Sequence, residues 1–152
     1  MTVLDLGCGD NKRDSDAVGM DMRAYPPVDV IHDIESVPWP FDADTFDGAF
    51  AYSILEHVHD LPKVMAELHR VLSPGAIVMG KVPHWSDRTA YIDPTHARFF
   101  DTRTFDYWDT TTQLGSREYF DVEYRVENVR RVRRLQFWRS RPIVFELRVI
   151  AQ

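Results

Sequence analysis

The feature that most restricts what this chain can become is a succession of short apolar runs, the first three of which lead into glycine or an acid. Val3–Leu6 runs into Gly7-Cys8-Gly9, residues 17–20 run into Asp21, and residues 28–31 run into His32-Asp33. Phe46–Tyr52 is a fourth run, and residues 76–82, opened by the turn Ser73-Pro74-Gly75, are a fifth. Short β-branched runs of this kind are the pattern of buried parallel strands. Between the fourth and fifth, Leu61, Val64, Met65, Leu68, Val71 and Leu72 recur at helical spacing, with Lys63, Glu67 and Arg70 on the opposite face. Pro62 suits the first turn of that helix and Asp60 its N-cap.

Strands alternating with connections imply right-handed crossovers and an open sheet covered on both faces. The expected fold is therefore α/β: a doubly wound, mostly parallel, Rossmann-like sheet. Residues 119–129 and 143–150 read as two longer strands, an antiparallel pair closing one edge. Residues 83–118 read as a long loop with a short helix at Thr104–Trp108.

At 152 residues the chain is the size of one domain. The organisation expected is a ligand-binding half (3–83), a lid or acceptor loop (84–118) and a strand pair (119–152). No apolar run approaches the roughly 20 residues of a membrane helix, and no basic leader precedes the first strand, so a soluble, cytoplasmic protein is expected. Cys8 is the only cysteine, which leaves neither a disulfide nor a second thiol for structural zinc, and no metal site is expected. A net charge of -6 argues against bulk attraction to nucleic acid.

The Gly-x-Gly turn lets a ligand approach the backbone because no Cβ intervenes, although alone it is also simply a tight turn. Asp21 closes the second strand, where an acid can accept both hydroxyls of a ribose. Asp33 follows the third strand, where it can take an exocyclic adenine amine. Three acids past successive strand ends form a row along the edge where such sheets bind ligands. A nicotinamide dinucleotide site is the nearest competitor, but its third glycine is Lys12 here, and little room remains before Ala17 for a helix that could hold pyrophosphate.

Six blocks then occur in order: Val3-Leu4-Asp5-Leu6-Gly7-Cys8-Gly9, Gly19-Met20-Asp21, His32-Asp33-Ile34, Val37-Pro38-Trp39-Pro40-Phe41 with Thr45-Phe46-Asp47, Ile54-Leu55-Glu56-His57-Val58, and Arg70-Val71-Leu72-Ser73-Pro74-Gly75. Over residues 3–83 the chain resembles the class I S-adenosylmethionine-dependent methyltransferases, and more narrowly the methyltransferase type 11 group. The resemblance implies S-adenosylmethionine as cofactor, its methionine part over the turn formed by Asp5, Leu6, Gly7, Cys8 and Gly9. It places the ribose on Asp21, the adenine beside Asp33 and Ile34 with Met22 against the ring, and Tyr52 and Ser53 facing the methyl, with Glu56 and His57 behind.

The protein's share of such chemistry is to align an acceptor for in-line displacement and exclude water; an oxygen or nitrogen acceptor also needs a base. His57, His84 and His96 are the candidates, because imidazole titrates near neutrality. His84, Tyr91, Asp93 and His96 lie in the stretch after the fifth strand, on the cofactor edge, and are expected to contact the acceptor. Packing of Trp85, Phe99, Phe100, Phe105, Tyr107 and Trp108 into a small core is the competing use of that stretch.

Seven arginines fall between Arg125 and Arg141, and alternation on a hairpin places them on a solvated face in preference to a nucleic-acid patch. The chain departs from the family in two places. Only seven residues separate Gly9 from Ala17, so the first helix is expected to shrink to a turn or loop, and the first strand starts without a preceding cap helix. Something else must then cover the site: the 83–118 loop, a second copy in a homodimer, or a partner protein. A small-molecule or glycan-like methyl acceptor is expected; a non-catalytic module on the same fold and a nucleic-acid methyltransferase are the alternatives.

Overall fold

The computed structural model describes residues 1–132 and 140–151. Its strands are β1 (Val3–Leu6), β2 (Val18–Asp21), β3 (Val30–Ile31), β4 (Phe46–Tyr52), β5 (Leu72–Val82), β6 (Tyr124–Arg131) and β7 (Ile143–Val149). They form one sheet in the order β3-β2-β1-β4-β5-β7-β6, parallel from β3 to β5, with β7 antiparallel to both β5 and β6. The order reverses between β1 and β4, which is where an open sheet of this kind leaves a crevice at its carboxyl ends.

The single α-helix among the described residues, α1 (Leu61–Val71), sits where the apolar spacing puts it. The Asp60 side chain accepts the Lys63 amide at 3.2 Å, and Pro62 occupies the first turn. Its buried stripe of Leu61, Val64, Met65, Leu68 and Val71 joins Leu4, Leu6, Ala49, Ala51, Val78 and Leu147 in one core. Two anchors tie the helix down: the Tyr124 hydroxyl donates to the Met65 carbonyl, and Glu67 accepts the Trp39 amide at 2.6 Å.

Among the described residues the sheet is not covered on both faces, and turns and bends replace the first helix, as the short Gly9–Ala17 gap leads one to expect. Alternation along β5 buries Ala76, Val78 and Val82 and leaves Ile77, Met79 and Lys81 at least partly open. Their neighbours Phe50 and Tyr52 share that second face through the β4 register. Among the described residues no helix covers it, because the connection between β1 and β2 contains only turns and bends. The Arg13 guanidinium, 4.3 Å over the Tyr52 ring, caps its upper end.

Other boundaries moved for local reasons. Phe46 pairs with Leu72 and Gly48 with Ile77, so the segment 73–76 is a bulge inside β5, not a turn before it. β3 keeps only Val30–Ile31, since Val28 closes a turn onto the Tyr25 carbonyl. β6 begins at Tyr124, not Tyr119: Tyr119 and Phe120 instead stack on Tyr107 and Trp108. Thr104–Trp108 is helical as expected, but as a 3₁₀ turn. No helix is long and apolar enough to cross a membrane among the described residues.

Candidate active site

At the carboxyl ends of β1 to β4 the chain forms a groove of about 760 Å³. Gly7 and Gly9 form its floor, both with left-handed backbone at φ +66° and +59°. A Cβ on Gly7 would stand 2.5 Å from Ile54 Cδ1, so glycine there is required by space as well as by conformation. Asp21 fixes the turn, one carboxylate oxygen accepting the Gly9 amide at 3.0 Å and the other the Arg23 amide at 2.9 Å. Each oxygen retains a lone pair for a further donor. Met22, 67% exposed, and Tyr25 line the groove beside it. Asp33 and Ile34 close the far end, where the Asp33 carboxylate accepts the Glu35 amide and the Ile34 carbonyl accepts the Trp39 indole.

A second hollow of about 530 Å³ adjoins the first, lined by Ser53, Glu56, Lys81, Thr89, Asp93 and Pro142 among others. His57 and His96 line both hollows and form their shared wall, with ring centroids 4.8 Å apart and nearly perpendicular. The backbone builds this wall: the Glu56 carbonyl accepts the amides of Ala97 and Arg98, docking residues 94–98 onto the 3₁₀ turn Leu55–His57 that follows β4. Arg98 reinforces the dock by donating to the carbonyls of Val58 and His59.

The electrostatics of the wall are specific. The Thr95 hydroxyl donates to Asp93 at 2.6 Å and so accepts from His57 Nδ1 at 2.9 Å, which leaves the lone pair of that ring on Nε2. His96 Nδ1 faces the Ala90 carbonyl at 3.1 Å, a group that only accepts, so its Nε2 is likewise the lone-pair atom of the neutral ring. Burial, with His96 as neighbour, holds the His57 pKa below the ordinary imidazole value. Glu56 is 3% exposed, its Oε2 has no hydrogen-bond partner among the described residues, and burial pushes its pKa up to about 7. Asp93 is held below the carboxylate range chiefly by the Thr95 hydroxyl.

The remaining residues singled out in the sequence lie elsewhere. Leu6 is core, and Cys8 is buried, its thiol pushed up to about 11 by burial. Asp5, 2% exposed, spends its carboxylate on the Arg13 amide at 2.6 Å, holding the loop after the glycines. Tyr52 lies under Arg13. His84 is buried against Ser86 and 3.6 Å from Asp101, and Tyr91 stacks on Phe99; neither lines either hollow. Of the arginines, Arg125 pairs with Asp109 and Glu123 and Arg131 with Asp87, whereas Arg133, Arg134 and Arg139 lie outside the described residues. Ile54, quoted only within a family block, and Thr95 and Lys81 were given no role in the sequence. Only the fold reveals them, since nothing in their type or spacing marks a site.

A family model described as a methyltransferase domain matches residues 4–80, half of the chain and all of the groove's floor. The chain belongs to that methyltransferase-domain family. Within it, the domain is 36% identical over 58 residues to the demethylmenaquinone methyltransferase of Lysinibacillus sphaericus (strain C3-41), a stretch covering 38% of this chain and 24% of that protein. The chain thus matches about a quarter of that relative's length.

Among solved structures, the methyltransferase domain superposes on the Burkholderia thailandensis 1,6-didemethyltoxoflavin-N1-methyltransferase, itself bound to 1,6-didemethyltoxoflavin and S-adenosylhomocysteine. The TM-score is 0.67 at 17% identity, over 99% of this chain and 71% of that one. An S-adenosylmethionine-dependent methyltransferase of Archaeoglobus fulgidus gives 0.69 at 13% identity, over 97% and 85%. At these identities the likeness is one of fold, the class I methyltransferase sheet.

Proposed function

We propose that this methyltransferase domain moves a methyl group from S-adenosylmethionine, held in the groove, to a small molecule held in the adjoining hollow. The observation that carries the reading is the shared wall: the two hollows meet at His57 and His96, so a ligand in each would touch at one place. Both volumes lie within or near the range of small-ligand sites.

The groove's residues fit the cofactor by their chemistry. Asp21 offers two carboxylate oxygens to ribose hydroxyls, exposed Met22 offers a soft apolar surface to a flat ring, and the glycine turn lets the amino-acid end lie on bare backbone. The acids Asp21, Asp33 and Glu35 suit a ligand carrying positive charge. When bound, the sulfonium supplies the electrophilic methyl. The chain's part is to hold both ligands in line and shed water at the junction, while the Nε2 atoms of His57 and His96 orient the acceptor's polar end. Residues 94–97 already wall the groove, which supports the 84–118 segment, in preference to a second chain, as its cover.

The test separates the two hollows. Lys81→Ala and Asp93→Ala, at residues that line only the second hollow, should lose most turnover of any accepted substrate yet bind S-adenosylhomocysteine within about threefold of wild type. Loss of cofactor affinity in these variants would refute the division between cofactor groove and acceptor hollow.

A further inference from the structure

Glu56, His57 and His96 bring one carboxylate oxygen and two imidazole nitrogens within 4.8 Å of one another at the junction of the two hollows. No cysteine-based zinc motif announces this cluster in the sequence. Glu56 comes from the 3₁₀ turn after β4 and His96 from a loop forty residues later, joined by the backbone dock at Ala97 and Arg98, the Arg98 side chain and the Thr95–His57 hydrogen bond.

Three observations separate it from an ordinary polar cluster. Both rings have their Nδ1 side committed, His57 to Thr95 and His96 to the Ala90 carbonyl, which leaves Nε2 of each for a ligand, that of His96 standing 3.8 Å from Asp93 Oδ2. That is how metal-binding histidines are held: the outer nitrogen donates to a carbonyl or to a carboxylate-linked partner, which fixes the tautomer. The chain from Asp93 through the Thr95 hydroxyl to His57 is such an outer shell, one hydroxyl removed from the carboxylate. Finally, Glu56 Oε2 is a buried carboxylate oxygen with no partner among the described residues, at a cost that a polar group rarely bears without one.

We propose that Glu56, His57 and His96 form a binding site for a divalent transition-metal ion. Two imidazoles and one carboxylate are a donor set for Zn²⁺, Fe²⁺ or Mn²⁺ and leave further positions open. Ligand atoms around such an ion with bonds of about 2.0–2.2 Å stand roughly 3–3.5 Å apart, so the cluster closes by about 1–2 Å on loading, within the reach of side-chain rotation. The open positions face the hollow lined by Ser53, Lys81 and Asp93, where an oxygen of the acceptor can complete the coordination. Methyl transfer is not needed for the site to exist, so its test does not use turnover.

The full chain, stripped with a chelator and dialysed, is titrated with Co²⁺ and followed by its visible absorption, then challenged with Zn²⁺. One equivalent should bind per chain, develop ligand-field bands and be displaced by Zn²⁺. His57→Ala, His96→Ala and Glu56→Gln should each weaken binding by at least a hundredfold, and His32→Ala, remote from the cluster, should bind as wild type. Thr95→Val should weaken it by roughly 10- to 100-fold, as loss of an outer partner does. His57→Gln and His96→Gln replace the alanine variants if circular dichroism shows those to be unfolded. Absence of stoichiometric binding, or binding unaltered in the folded histidine variants, would overturn the site.

Discussion

At the scale of single residues, the groove is set by positions with no freedom to change. Gly7 combines φ +66° with a side-chain direction blocked by Ile54. Gly7→Ala should therefore cost about 1–3 kcal/mol in urea unfolding, the range for a non-glycine held in left-handed backbone. A cost below about 0.5 kcal/mol would show that the turn relaxes freely, contrary to the account. Asp21 and Asp5 look alike in the sequence, each an acid at a strand, yet the structure divides their work. Asp21 lines the groove, while buried Asp5 holds the Arg13 amide. The motif carries the residue types but not their directions, and for the same reason the sequence could not tell that His84 turns to Ser86 while His96 turns to the hollows.

At the scale of elements, α1 was legible down to its cap because an amphipathic helix depends on local spacing alone. Asp60→Ala should cost about 1 kcal/mol of stability by chemical denaturation, the usual worth of an N-cap, and Leu68→Ala about 2–5 kcal/mol by opening the core beneath it. Glu67 adds a pH dependence. Burial would raise its pKa, but hydrogen bonds from Arg70 and from the Trp39 amide outweigh it and hold the group below the ordinary glutamate value. A carboxylate with a depressed folded-state pKa contributes stability that is complete above its unfolded value and lost as pH falls through the folded one. Unfolding followed between pH 6 and pH 3 should show part of the acid loss in wild type and a shallower loss in Glu67→Gln; identical acid limbs would remove this contribution. The elements that the sequence misplaced are those set by distant partners. Ser73-Pro74-Gly75 has the chemistry of a turn, and only pairing with β4 makes it a bulge. The residues at 119–123 are strand-like in type but are taken by stacking on Tyr107 and Trp108.

At the scale of the molecule, the mostly parallel sheet and the ligand edge at its strand ends followed from the run of strands and acids, because parallel connections admit few topologies. The uncovered second face did not follow, although the seven-residue gap between Gly9 and Ala17 held the reason for it. The junction of the two hollows was invisible for a different cause: it needs residues 94–98 folded back onto the turn at Glu56, a contact across some forty positions. The central claim is that the groove along β1 to β4 binds the cofactor through Asp21 and the glycine turn. Calorimetric titration of the chain with S-adenosylhomocysteine tests it most directly. The account predicts one site per chain, weakened at least tenfold by Asp21→Ala and unaltered by Tyr91→Ala, whereas no detectable heat with either S-adenosylhomocysteine or S-adenosylmethionine, or an Asp21→Ala variant that binds as wild type, would contradict it.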